Sequence, residues 1–189
     1  MKFFVPIVLF FTFLTSCAEK GNTPNPSAVI DSENNNGLRF FYSDDTVDFH
    51  AFNTKLPVIT FDSVKTLIPC QRKEMAWFEK HQDEIFPKIK QKIFEYYKSV
   101  YPSYKAKWGS DNKMSETEIE RYLPYPAFPD SLLGHIKPVA FVVHTSQHCS
   151  ENSFSIEFDC TWDPQYGLGI YVENGVVRFA SLGQKTYPN

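Results

Sequence analysis

A chain of 189 residues with 42% hydrophobic and 16% aromatic side chains has the material for one domain with a sizeable core, and is too apolar to stay disordered. Nineteen basic residues against 22 acidic ones leave a net charge of −3, which lacks the electrostatic footprint of a nucleic-acid binder. No nucleic-acid partner is expected.

The chain starts with Lys2 and an apolar run from Phe3 to Leu14, too short to span a bilayer and of the length of a signal-peptide core. Leu14-Thr15-Ser16-Cys17 follows directly and resembles the lipobox of bacterial lipoproteins. The resemblance implies that residues 1–16 are a signal peptide, removed by cleavage, and that Cys17 is acylated with palmitate-like chains. The expected partner is then the lipid bilayer, held through Cys17, since two or more acyl chains anchor stably where one does not. Ala18, rather than Asp, follows the cysteine, which in the lipoprotein sorting pattern implies the outer membrane of a two-membrane bacterium. Residues 17–37 are the lipidated cysteine and a tether rich in Asn, Pro, Ser and Gly, which as a coil holds the domain on the order of 25 Å from the membrane.

Residues 38–189 are expected to form a single domain. Leu38 to Tyr42 and Thr46 to Phe52 read as two strands of a hairpin, with Ser43-Asp44-Asp45 as the turn. Leu56 to Phe61 is a third strand, whose Pro57 suggests an edge or a strand start. His50, between Phe49 and Phe52, reads as a packed or surface histidine. Pro69 suits the first turn of a helix through Met75, Trp77 and Phe78. Gln82-Asp83 offers a second helix start, with Pro87 early in that helix. Ile85, Ile89, Ile93, Tyr96, Tyr97 and Val100 then form one apolar stripe suited to docking on a sheet. Phe94, Tyr97, Tyr101 and Tyr104 could line a groove, but core or rim packing is the expectation.

Trp108 to Asn112 breaks this helix, and Ser115 with Glu118 forms a capping box opening a short one. Four prolines between Leu123 and Pro138 forbid a single regular element, and the aromatics there are expected to cover a core edge. The alternating stretch around Val139, Phe141 and Val143 is a buried strand, joined through a polar loop over 146–153 to the next. In that next strand Phe154, Ile156, Phe158, Cys160 and Trp162 alternate with polar residues, the period of a half-buried strand. Asp163 to Gly167 is a turn, in which Asp163 accepts backbone bonds and Gly167 and Gly169 supply positive φ or close approach. Leu168, Ile170 and Val172 form another strand, and Asn174-Gly175 is a two-residue hairpin signal returning through Val176 to Ala180. The fold expected is α+β, an antiparallel sheet of hairpins packed against two to four helices.

Phe158, Cys160, Trp162, Asp163, Gly167, Leu168 and Gly169 resemble the signature F-x-C-x-W-D-x-E-H-G-L-G of an uncharacterised bacterial domain-of-unknown-function family, 6985-like. The resemblance implies no activity. Where that family shows Glu-His this chain has Gln165 and Tyr166, so an acid–base role for that pair is not carried over.

Three cysteines remain after lipidation, and an oxidising compartment permits a disulfide. In a simple hairpin centred near Cys149, Cys160 falls opposite about Val139, too far along the strand to be bridged to the loop. Cys160 therefore reads as a buried free thiol, while a Cys70–Cys149 pair stays open. His144, His148, Cys149, Asp159 and Cys160 carry zinc-ligand chemistry. The same hairpin removes Asp159 and Cys160 from the set, and the spacing of His144, His148 and Cys149 matches no metal motif. No metal and no cofactor are assigned, and those three residues are the residual candidates. Glu157 and Asp159 share a strand face and read as solvated acids rather than a catalytic pair. The function expected is that of a membrane-anchored, non-catalytic protein-binding module with a protein partner, immunity-like or accessory by analogy alone. The alternative is a metal-assisted or thiol hydrolase using the His144 to Cys149 loop.

Overall fold

The computed structural model describes residues 32–33, 39–62, 65–111, 114–150 and 152–181. The expected signal peptide, Cys17 and the tether lie outside the described residues, apart from Ser32 and Glu33. The family of elements is mixed: strands β1 (Ser32–Glu33), β2 (Arg39–Phe49) and β3 (Thr54–Thr60), helices α1 (Pro69–Asp111) and α2 (Glu116–Tyr122), then β4 (Ile136–Val142), β5 (Phe154–Cys160), β6 (Leu168–Glu173) and β7 (Val176–Ser181). Two 3-10 segments, His50–Phe52 and Pro129–His135, complete it.

The strands line up in chain order in one sheet, and every neighbouring pair is antiparallel except β3 and β4. That parallel pair, Val58 to Phe141 and Ile59 to Val142, corrects the expectation of a wholly antiparallel sheet. Its cause is the chain between them: α1, α2 and the second 3-10 segment form the crossover that parallel neighbours require.

The expected first hairpin is also corrected. Ser43 to Asp45 do not reverse the chain but form an irregularity inside β2, between the pairs Tyr42–Ile59 and Thr46–Pro57. The local chemistry is the expected one, since Ser43 Oγ accepts from the Asp45 N–H at 3.1 Å. Its result is a bulge, because Phe41 and Tyr42 before it and Thr46 to Phe49 after it pair with the same strand, β3. Pro57 sits in an interior strand, ahead of the stretch where β4 pairs, so its missing N–H interrupts no bond to β4. His50 lies in the 3-10 turn after β2, exposed, 3.8 Å from Asp83.

α1 is one continuous helix of 43 residues, about 65 Å long, rather than two. Pro87 and Pro102 lie on its exposed side, where the carbonyls they release can bond water. Gln82 is not a helix start. It is buried, and its side chain accepts from the His50 N–H at 2.7 Å and donates to the Asp48 carbonyl, closing the end of β2.

The core lies between α1 and one sheet face, where Ile85, Ile89, Ile93 and Tyr97 meet Phe141, Phe154, Ile156, Phe158 and Leu168. Phe49 makes edge contacts with Phe52, Phe78 and Phe86 at 5.1–5.4 Å. Tyr97, expected as core or rim, is fully buried against Trp162 at 4.4 Å and donates its hydroxyl to the Pro124 carbonyl. On the other sheet face Ile59, Ala140 and Val142 form a smaller cluster under Phe40 and Phe61. The Ser115–Glu118 capping box opens α2 as expected. The proline-rich segment holds no regular element before its 3-10 turn, but Tyr125 and Phe128 are 69% and 58% exposed instead of covering the core.

Candidate functional site

The buried face of α1 carries a polar stretch at its N-terminal end. Gln71, Glu74, Phe78, Gln82, Ile85, Ile89, Ile93 and Tyr97 follow at spacings of three and four, so the first residues of the core-facing stripe are polar. Glu74 and His144 are both buried, at 0% and 3% exposure. The Glu74 carboxylate accepts the His144 backbone N–H at 3.0 Å, meets the His144 ring at Nδ1 at 3.1 Å, and accepts the Ser150 N–H at 3.1 Å. Burial is the largest influence on Glu74 and raises its pKa, with the bonds to His144 and Ser150 pulling partly back. Among the described residues, the one buried side-chain polar atom left without a partner is His144 Nε2. Tyr171 packs edge-on to that imidazole at 5.6 Å.

Around this pair the β4–β5 loop is fastened at several points. Gln71 Nε2 donates to the His144 carbonyl and to Asp62, both at 2.7 Å. Asp62 accepts the Ser146 N–H at 2.9 Å, and Ser153 Oγ accepts the Asn174 N–H at 3.0 Å. Cys70, one turn before Glu74, is bridged to Cys149. Of the two cysteine pairings considered, the structure contains the one left open, and Cys160 is free and buried. Cys160 pairs with Ile136 rather than with Val139, and the irregularity between Pro138 and Ala140 supplies one residue of that offset.

The candidate donors are thereby separated in role. Cys149 has its sulfur in the bridge, His144 faces Glu74, and exposed His148 lies against Thr145 Oγ1 at 3.1 Å. Among the described residues no three His, Cys, Asp or Glu side chains are grouped as a metal site. Glu157 is half-buried and Asp159 exposed, on the sheet face away from α1. Gln71 and Glu74 were not singled out from sequence. The signal available was their place in the stripe of Phe78, hidden because polar residues do not register in an apolar period.

The signature residues close the other end of the sheet. Phe158, Cys160, Trp162 and Leu168 are buried. Asp163 accepts the Tyr104 hydroxyl and the Tyr166 N–H, and its carbonyl accepts the Gly167 N–H at 2.9 Å. Burial and then the bond to Asp163 push the Tyr104 phenol well above its ordinary value. Gly167 has φ +62°, as its turn requires, whereas Gly169 lies within β6 opposite Glu157 and has no positive φ. Burial raises the Cys160 thiol to about 12.

Two surface features remain. A groove of about 440 Å³ runs between α1 and the β6–β7 hairpin, lined by Pro87, Lys88, Lys92, Glu95, Val176 and Val177. Val176 is 49% exposed there, and among the described residues β7 is the end strand of the sheet. Along another side of α1, Tyr122 stacks on Trp108 at 5.7 Å and Tyr125 packs edge-on to Tyr101 at 5.9 Å.

These features define an α+β domain in which one long helix backs a mixed sheet. The chain belongs to the family described as Domain of unknown function (DUF6985), which matches residues 30–183. No match is found among curated proteins or among solved structures.

Proposed function

We propose that the chain is a lipid-anchored envelope protein whose folded domain binds another protein and catalyses no reaction. The lipobox-like Leu14 to Cys17 and Ala18 support an outer-membrane anchor, and residues 17–37 serve as the tether. The observation that carries the binding role is the groove beside β7. It offers an apolar floor at Val176 and Val177, the end strand of a sheet, and the ammonium groups of Lys88 and Lys92 at its rim. An extended peptide segment suits it, because added strands gain main-chain hydrogen bonds from a sheet edge and specificity from pockets beside it. Residual side-chain charge at Lys88 favours a segment with an acidic residue.

Crosslinking of the full lipidated protein in its native envelope tests this reading. A stoichiometric protein joined through Lys88 or Lys92, and lost on Val176→Asp, is the expected result. Crosslinks that map elsewhere, or that survive Val176→Asp, reject the groove as the binding surface.

The unpartnered Nε2 of His144 favours a second reading, a hydrolase of the His144 to Cys149 loop. Glu74 orients the imidazole through Nδ1, as an acid orients a catalytic histidine. A thiol mechanism would require Cys149 to leave its bridge to Cys70. Hydrolysis of ester or peptide substrates by the reduced protein, abolished by His144→Asn with the fold intact, would support it over the binding reading.

A further inference from the structure

The exposed aromatics beside α1 and two lysines of that helix, Lys98 and Lys105, form one surface. Of the six lysines between Lys88 and Lys107, Lys90 pairs with Asp130, Lys92 pairs with Glu95, and Lys88 lines the groove beside β7. Lys98 lies over the Phe94 ring at 5.4 Å and Lys105 over the Tyr101 ring at 6.0 Å. Tyr101 in turn carries Tyr125, and Trp108 carries Tyr122, so ammonium groups and rings alternate along one strip. Phe128 is exposed two residues before Asp130, which pairs with Lys90 on α1. Pro124, Pro126 and Pro129 restrict the segment that presents Tyr125 and Phe128, so little chain entropy is lost when it docks.

We infer that this strip lies against an anionic lipid bilayer, with Tyr125 and Phe128 in the headgroup region and Lys98 and Lys105 facing lipid phosphates. Aromatic rings with a polar tip favour the membrane–water interface, and each basic residue near an anionic surface adds attraction. The chain outside the described residues points to the same occupant. The inference rests on the anchor at Cys17, which would place the domain within reach of a bilayer on a tether of about twenty residues. At such an effective concentration a weak contact suffices. A weak contact is what the surroundings allow, since Glu116, Glu118 and Glu120 on nearby α2 and Asp130 subtract from the lysine field. Docked in this way, the domain has an orientation as well as an anchor.

The test uses the full acylated protein in vesicles that are either zwitterionic or roughly one-third anionic lipid, the range in which basic segments are attracted. Flotation and the mass of the Cys17 peptide report the anchor, and amide exchange across 120–130 reports the strip. The expected result is slower exchange there in anionic vesicles alone, reversed by high salt. Lys98→Gln with Lys105→Gln should lower the docking equilibrium constant by roughly tenfold or more. Tyr125→Ser with Phe128→Ser should abolish the protection while exchange in β4 to β6 stays unchanged. Equal exchange in both vesicle types, with the protein acylated and floating, overturns the strip but not the anchor. An unacylated chain that does not float overturns the anchor and the inference with it. Protection that appears only when an envelope protein is added, whatever the lipid, overturns the bilayer in favour of a protein on this surface.

Discussion

Glu74 and His144, 70 residues apart in the chain, meet through two bonds in the interior, one to the backbone N–H of His144 and one to its ring. Together with the Ser150 N–H, this makes one carboxylate the acceptor that holds both ends of the β4–β5 loop to α1. Glu74→Ala leaves two backbone donors and an imidazole nitrogen without their acceptor in a buried place, and should cost roughly 3 kcal/mol in urea unfolding.

The same carboxyl gives a pH signature. Its pKa in the folded chain is raised above the ordinary 4.5, chiefly by burial, so the folded state holds this proton more tightly than the unfolded one. Its favourable contribution is complete below the ordinary carboxyl value and is lost as pH rises through the raised one. Stability of the native protein relative to Glu74→Gln should therefore decline with rising pH across that window. A difference that grows with pH instead would mean that the hydrogen bonds outweigh desolvation at this site.

The bridge between Cys70 and Cys149 closes a separation of 79 residues and fixes the same loop covalently. Cys70→Ala with Cys149→Ala should lower stability by about 4 kcal/mol, measured against the oxidised native protein. Peptide mapping should find Cys160 outside any bridge.

Cys160 supplies a separate check on the interior. Its thiol is buried and raised to about 12, so it holds little thiolate at neutral pH. An alkylating reagent at pH 7 should leave Cys160 unmodified in the native protein and label it after denaturation. Native-state labelling at the denatured rate would show that the end of β5 opens readily.

The parts legible in the sequence are those where local chemistry and tertiary outcome agree. Asn174 and Gly175 adopt φ of 51° and 70°, the paired positive values of the two-residue turn that joins β6 to β7. Ser115 and Glu118 cap α2, and the alternation from Phe154 to Cys160 is a strand with its apolar residues inside, followed by buried Trp162 in the turn. Where the two disagree, local signals mislead. Ser43 bonds Asp45 as in a turn, yet β3 pairs on both sides of it and the chain runs straight on. Gln82 looks like a helix start because it is polar, whereas its side chain serves the backbone of the turn after β2. Gln71 and Glu74 are hidden for the same reason: a buried polar residue is justified by partners distant in sequence, and no spacing along one helix reveals them. The exposed Tyr125 and Phe128 carry the opposite lesson, since aromatic character alone does not decide burial.

Gly167 and Gly109 together separate backbone strain from simple addition of a methyl group. Gly167 has φ +62°, and a Cβ there would stand 2.5 Å from the Phe158 carbonyl oxygen, an atom held in the sheet by β5. The turn between β5 and β6 cannot relax away, because Asp163 is tied by its carbonyl to the Gly167 N–H and by its carboxylate to Tyr104. Gly167→Ala combines a left-handed backbone with a clash against main chain, and should cost roughly 2–4 kcal/mol. Gly109, in the last turns of α1, has no atom within 4 Å of an added Cβ and no positive φ. Gly109→Ala should stabilise by about 0.5–1 kcal/mol, because alanine has less backbone freedom to lose in a helix. Equilibrium unfolding of both variants under one set of conditions checks the sign as well as the size. Equal effects at the two positions would mean that the Asp163 to Gly167 turn is loose enough to move away from Phe158, and the closure of the sheet at Trp162 would then depend on side-chain packing alone.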